Sequence, residues 1–507
     1  MMKKAGILLL IIFILPSILK SVDLVDINFT RDENNWVKKF ENYSWNEAKT
    51  DFTVSNINDI NVNSLKLKGS FGRFNPGNGV FAQPFNSEDY CEQFRWAFRI
   101  SNTGNSYIEL PEVESAGLFT IHCKTGNPVE SSVFYIEKLE QGKWERIKTM
   151  VAPAHGNQDF DVVLRQNLNI NNPVKLRIYG ASKNLHVYAF SLKSFEKSTT
   201  EKRNTRLIIL PDTQNMVQKF PHIFQSQTAW ITNNADSINF VLHVGDITNA
   251  NNKQQWKTAA SGLSLMDNVV PYTFVPGNHD TGTFGKSDIR NTDLLNEFLP
   301  YSKYSKMSNF GGTYEDGRME NSWHTFKSDK GYKYLILSLE FAPRDEILDW
   351  AGKIIKKHKK YNVIISTHAY LYSDDNRISD KYNHKWTPSK YGLYKASNGN
   401  ANDGEQIWDK LVKKHKNIFM VVCGHVLNDG TGLLITKGDK GNTVYQMLSN
   451  YQSGVIGSKL GGSGFLRIID IDETQKEISI KSYSPFLNEF KTDFDQQFSF
   501  ENIKLIK

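Results

Sequence analysis

The spacing of apolar residues along the chain changes character once, near residue 200. From about Asp23 to Phe195 apolar and polar residues alternate. In FRWAFRI the residues Phe94, Trp96, Phe98 and Ile100 share one face, and in VYAFSLKSF so do Tyr188, Phe190 and Leu192. A period of two is the mark of strands with one covered face. EQGKW reads as a hairpin turn, and no helical pattern of comparable strength intervenes, so residues 23–195 are predicted to form an all-β sandwich. Its aromatics and arginines fit either a sugar-binding face or a core and its solvated back. The run EKSTTEKRNT, Glu196 to Thr205, is charged, rich in hydroxyls and without apolar periodicity, which predicts a linker.

Beyond the linker the rhythm becomes strand, helix, strand. RLIIL, NFVLHV, YTFV, YLILSL, NVIIST and IFMVV are dense aliphatic runs without polar alternation, as strands covered on both faces require. Between them lie amphipathic stretches at helical spacing: Trp256, Ala260 and Leu263; Ile347, Ala351, Ile354 and Ile355; and Ile407, Trp408, Leu411, Val412 and His415. This alternation predicts an α/β domain over residues 206–507. After Asn442 helices stop, and TVYQML, GFLRII and EISIKSYS return as strands closing the same domain.

Composition changes this picture little, but the first residues add to it. Two lysines precede an apolar run from Ala5 to Leu19 interrupted by Pro16, too short for a membrane span and right for a secretory signal, so residues 1–22 are predicted to be removed on export. That places the mature protein outside the cell or in a periplasm, with no stable membrane span. A formal charge of +7 over 507 residues is slight and gives no nucleic-acid-binding signal. Of the three cysteines, Cys91 and Cys123 either form a disulfide or remain two buried thiols, and Cys423 packs as a small hydrophobe.

The chemistry lies where the aliphatic strands end. RLIIL leads to Asp212 and Gln214, NFVLHV to Gly245-Asp246, YTFVP to Gly277-Asn278-His279-Asp280, NVIIST to His368, and IFMVVC to Gly424-His425. Groups just past the carboxyl ends of strands in open sheets point into a common crevice. Five ends in succession carrying Asp, Gln, Asn and His predict a metal site, and the donors suit two divalent ions. One bridging carboxylate can hold a pair of ions about 3.5 to 4 Å apart and generate a hydroxide nucleophile near neutral pH. A phosphate ester is the natural substrate.

In the order DTQ, GD, GNHD, TH and GHVL the chain resembles the calcineurin-like metallophosphoesterases, whose pattern is D-x-H, G-D, G-N-H-[DE], a lone H, then G-H-x-H. The DTQ opening, LEFAPRDEILDWA, SNYQ and YSP are similar to a secreted bacterial branch of that family. The resemblance implies a four-layer α-β-β-α sandwich with a two-metal centre; it does not cover the N-terminal β-domain. By position, Asp246 bridges the ions, Asp212 and Gln214 serve the first, and Asn278, His368 and His425 serve the second. His279 stands beside the phosphate as acid or donor, with Asp280 orienting its ring. His243 and Thr248, which flank the bridge, are read as structural.

Two departures from the family pattern bear on the metals. Gln214 replaces an imidazole by a carbonyl oxygen, shifting preference from zinc toward manganese, iron being a third choice. Leu427 stands where the family has its last histidine. Either Asn428 or Asp429 completes the first ion's shell, or water does, or that site is weak and fills only with substrate. The absence of tyrosine after GDITN separates the chain from purple iron-tyrosinate relatives. The polar stretch from Leu371 to Gly404 is a substrate-selecting rim or a surface insertion, and His384 and Trp386 are its candidates for touching substrate.

The resulting reading is an exported two-domain phosphoesterase acting on mono- or diesters. Its rivals are a glycan-binding protein carrying a degenerate, non-catalytic phosphoesterase domain, and a phosphatase for phosphorylated sugars.

Overall fold

The alternation in the N-terminal sequence becomes a set of antiparallel strands in a computed structural model that describes residues 23–29, 45–47, 52–62, 64–73, 96–102, 105–156, 161–196, 204–395 and 401–507. The expected signal segment, Cys91, Phe94 and most of the expected linker lie outside these residues. Twelve strands are connected by pairing, and the main path runs from Val162–Ile170 through Ala116–Thr125 and Leu185–Lys193 to Ser132–Glu140 and Lys143–Ala152. The two ends of that path approach each other. They close over a core that includes Phe29, Phe71, Phe98, Phe119, Phe134 and Phe190.

The EQGKW turn joins Glu140 to Lys143 through Gln141 and Gly142, both with positive φ, the geometry that matches the twist of a two-residue hairpin. One expectation fails here. Phe190 and Leu192 enter the core with Leu185 and Val187, whereas Tyr188 packs beside Ala97 instead. A register shift between Val187 and Ala189 inserts one residue, and one extra residue moves a side chain to the opposite face.

The strand Thr205–Leu210 begins one residue earlier than the spacing suggested. It lies parallel to Phe240–His243, which lies parallel to Tyr272–Phe274, and on its other side it pairs with Leu466–Asp472. A second sheet places Lys333–Leu339, Asn362–Thr367, Ile418–Cys423 and Thr443–Ser449 side by side and parallel. Unbroken aliphatic runs suit these strands because successive side chains enter two different cores. Leu207 and Ile209 face Ile364, Met420 and Met447 of the other sheet. Ile208 and Leu210 instead face helices Pro221–Asn233 and Lys253–Leu263, packing with Phe224 and Trp256. Val363 and Ile365 likewise pack beneath helix Asp345–Lys357. The result is helix, sheet, sheet, helix.

The third amphipathic stretch is shorter than its spacing predicted. Its α-helix is Gly404–Lys410, Leu411 leaves helical geometry at φ −128° and ψ −62°, and only a 3₁₀ turn, Val412–Lys414, follows. The chain must re-enter the sheet at Ile418, which leaves no room for another α-turn. No helix of the described residues is long and apolar enough to cross a membrane.

The β-domain is seated on helix Pro221–Asn233. The Ser131 N–H donates to Gln225 Oε1 at 2.7 Å, and the Asn233 side chain pairs with both backbone groups of Val151 at 2.8 Å. These contacts seat the β-domain on the helix layer.

Candidate metal centre

The parallel strands stop at the same edge of the two sheets, and three of the turns that follow are sharp. Asp212, Asp246 and His425 all have positive φ, at 45°, 50° and 79°. Such geometry costs a non-glycine residue about 1–2 kcal/mol and persists only where the surroundings dictate it. The adjoining glycines show that dictation: a Cβ at Gly277 would stand 2.1 Å from Asp246 Oδ1.

The turns bring together one cluster. Single ligand atoms of Asp246, His368 and His425 all lie within 4.8 Å of one another, and all three residues are buried. His368 Nε2 lies 3.1 Å from Asn278 Oδ1, 3.1 Å from His425 Nδ1 and 3.3 Å from Asp246 Oδ1. The other Asp246 oxygen, Oδ2, accepts from the Gln214 amide at 3.0 Å. Asp246 therefore faces the imidazoles with one oxygen and Gln214 with the other, as a bridging carboxylate must. Asp212 is anchored by the His425 N–H, 3.0 Å from Oδ1.

Surrounding groups fix the imidazoles. His368 Nδ1 donates to the Val244 carbonyl at 2.8 Å, leaving Nε2 for the cluster, and the Trp386 carbonyl accepts from His425 Nε2 at 2.7 Å, leaving Nδ1. Carbonyl partners of this kind set the tautomer of a ligating histidine. Phe341 walls both rings, 5.7 Å from His368 and 5.5 Å from His425.

Burial and the neighbouring charges set the protonation. Burial alone would strip the proton from His368, but Asp246 and Asp212 beside it hold its pKa up at about 9. His425 is pushed down to about 3 by burial and by the charge on His368. For Asp246, His368 and His279 outweigh the burial that would raise it, so it stays ionised, whereas burial and Asp246 raise Asp212. In the absence of a cation the pocket thus retains a proton on His368. A metal ligand must be the neutral imidazole, so uptake of a divalent ion at pH 7 is expected to release at least one proton, and affinity is expected to fall about tenfold per unit as pH drops below 9. Titration calorimetry in buffers of different ionisation enthalpy checks this; buffer-independent heats at pH 7 would contradict it.

The family model for calcineurin-like phosphoesterases matches residues 205–429. This segment belongs to that family. Over 301 residues the chain is 29% identical to the uncharacterized protein YvnB of Bacillus subtilis, covering 56% of this chain and 20% of that protein. Over 193 residues it is 24% identical to a probable glycerophosphodiester phosphodiesterase, GpdQ, of Arcobacter nitrofigilis, covering 38% of this chain and 58% of that protein. The chain thus spans less than two thirds of either relative. Among solved structures, the purple acid phosphatase PPD1 from yellow lupin aligns at a TM-score of 0.38 and 11% identity, over 89% of this chain and 95% of that one.

Calcineurin-like phosphoesterases use divalent metal ions, and the residues here fit that use. Besides the convergent donors, Gln214 Oε1 is buried without a hydrogen-bond partner, an arrangement that costs about 1–3 kcal/mol unless something positive meets it. Asp212, Gln214, Asp246, Asn278, His368 and His425 are all brought to one rim.

Asp280 does not play its expected part. Its carboxylate accepts from the N–H groups of Gly277, Ile247 and Thr248 and from the Thr248 hydroxyl, at 2.7–3.0 Å, so it ties the GD loop to the GNHD loop. His279 turns Nδ1 to the Asn249 carbonyl at 2.8 Å instead, because the intervening 3₁₀ turn, Asn278–Asp280, sends adjacent side chains apart. His243 bonds the Thr213 hydroxyl at 2.9 Å, a structural position.

Neither Asn428 nor Asp429 turns toward Asp212: the first donates to Ser373 Oγ at 2.7 Å, and the second is exposed and accepts from the Thr431 N–H. In the described part of the 371–404 stretch, His384 stacks on Tyr372 at 4.0 Å and pairs with Asp374. Trp386 serves through its carbonyl on His425. One residue at the rim is not singled out as a ligand by the sequence pattern, although its segment, SNYQ, carries part of the family resemblance: Gln452, buried, with Oε1 2.5 Å from the Gln214 amide nitrogen. SNYQ follows a buried strand like the others, but glutamine is too common after strands to stand out.

Proposed function

We propose that the protein is an exported, metal-dependent phosphoesterase that hydrolyses phosphate mono- or diesters. The observation that carries this reading is the convergence of Asp246, His368 and His425 on one point, with Asn278 beside them and Asp212 and Gln214 on the far side of Asp246. Asp246 would be shared by two ions, Asp212 and Gln214 would hold the first, and Asn278, His368 and His425 would hold the second. Two such ions, when bound, would supply Lewis-acid charge at the phosphoryl oxygens and a nucleophile near neutral pH.

The chain's own residues do the rest. The His279 N–H donates to Asp246 Oδ1 at 2.9 Å and fixes the bridge. With Nδ1 committed to Asn249, the His279 ring offers Nε2 to a substrate, and Nε2 donates a proton to the leaving oxygen only when the ring is doubly protonated. Phe341 packs against both imidazoles and helps to fix their orientation. Manganese is favoured by the oxygen donors around Asp212. Lys3, Lys4 and the apolar run from Ala5 to Leu19 support export.

Among the described residues of the β-domain, three rings that a sugar would need open have a guanidinium over one face. The Arg146 guanidinium lies 3.4 Å over Tyr135, and that of Arg177 lies 4.4 Å over Trp144 and 4.2 Å over Tyr179. The test of the enzymatic reading is hydrolysis of p-nitrophenyl phosphate and bis(p-nitrophenyl) phosphate by chelator-stripped protein with and without added manganese. Metal-restored turnover of at least one is expected. Failure on both by protein shown to carry two ions would remove the enzymatic reading.

A further inference from the structure

With Leu427 in place of an imidazole, three protein ligands remain for the first ion, and the structure fills the missing corner from another direction. The strand Thr443–Ser449 ends at the same edge as the other ligand-bearing strands, and the loop after it turns Gln452 inward. The loop is held in place: Asn450 Oδ1 accepts from the Gln452 N–H and Asn215 Oδ1 from the Ser453 N–H, both at 3.0 Å. Leu427 packs against this loop, its Cδ1 3.2 Å from where a Cβ on Gly454 would stand. The residue that cannot ligate thus supports the segment that brings a replacement.

The spacing of the side-chain ends matches a coordination shell. The Gln214 amide nitrogen stands 3.0 Å from Asp246 Oδ2 and 2.5 Å from Gln452 Oε1, while the other end of the Gln452 amide, Nε2, donates to Asp212 Oδ1 at 3.4 Å and holds the group beside that carboxylate. In an octahedral shell with bonds of about 2.1 Å, neighbouring ligand atoms are about 3 Å apart. Amide oxygen and nitrogen exchange places by a half-turn. For Gln214 that half-turn moves the partnerless Oε1 to the position facing Asp246 and Gln452. After that half-turn three oxygens would lie about 3 Å apart with no hydrogen between them, an arrangement that a cation would stabilise.

We propose that Gln452 ligates the first ion through Oε1, replacing the imidazole lost at Leu427. Asp212, Gln214, Asp246 and Gln452 then form an all-oxygen site that selects a hard cation such as Mn²⁺ or Mg²⁺, while the imidazoles of His368 and His425 give the second site its affinity for a softer one. The inference rests on the two-ion reading above and adds a ligand and a division of metals to it.

The experiment measures metal content and Mn²⁺ electron paramagnetic resonance of the full chain after equilibration with Zn²⁺ and Mn²⁺ together. Wild type is expected to hold one ion of each kind. Gln452→Leu is expected to keep the zinc and bind manganese at least about tenfold more weakly. Gln452→Glu, which restores an oxygen, is expected to recover it, and its melting curve and that of the leucine variant report folding. Adding Leu427→His to Gln452→Leu is expected to refill the first site with zinc. Wild-type manganese affinity in a folded Gln452→Leu variant, or manganese loss in Gln452→Glu as deep as in Gln452→Leu, would refute the role of Gln452. Wild type that never holds two ions would refute the two-ion reading itself.

Discussion

Replacing Asp246 by alanine is expected to lower hydrolysis of either nitrophenyl ester by at least about a thousandfold, or roughly 4 kcal/mol of transition-state stabilisation. The reason is geometric. Asp246 Oδ1 faces His368 at 3.3 Å while Oδ2 faces Gln214 at 3.0 Å, so one truncation would remove a ligand from both proposed ions. Two effects accompany the loss: metal content falls, and His368, deprived of its main charged neighbour, no longer keeps its raised pKa of about 9. Steady-state kinetics with metal analysis of the same samples checks the prediction. Activity within tenfold of wild type would mean that Asp246 is not the bridge.

The second large effect is expected from Gly424→Ala, one methyl group on a residue that touches no substrate. A Cβ there would lie 2.1 Å from Asp212 Oδ2 and 3.1 Å from Val244 Cγ2. Neither neighbour can step aside, because both are fully buried. Overpacking of this sort costs about 1–3 kcal/mol of stability. Asp212 must shift to relieve it, so the first ion is expected to be lost in protein that still folds. Melting temperature and manganese stoichiometry together read the outcome; an unchanged melting point with full manganese binding would show that the loop has slack that the geometry denies.

These expectations draw on both the sequence and the fold, and the two contributed differently. The two-sided aliphatic runs were readable because Leu207 and Ile208 enter separate cores, and only a strand buried on both faces tolerates that. The strand-end residues were readable for a related reason: chemistry in such sheets collects where parallel strands stop. What misled was local. Tyr188 left its expected face through one inserted residue, and the stretch ending at His415 kept helical spacing where the backbone had already left the helix at Leu411. Neither event alters the apolar pattern from which they were inferred.

By itself the sequence determined the alternation of strands and helices in the α/β domain, its family pattern and six residues at strand ends that meet at one rim, because each depends on residue type next to a buried strand; the four-layer order was implied by the family resemblance. The tertiary structure alone decided that Asp280 braces two loops instead of His279, that a Trp386 carbonyl aims His425, and that Gln452 stands where Leu427 leaves a gap. Those depend on which segments pass within about 3 Å of one another, the range of a hydrogen bond. Distances of that kind between residues such as Gln214 and Gln452, far apart along the chain, exist only once the sheets have stacked.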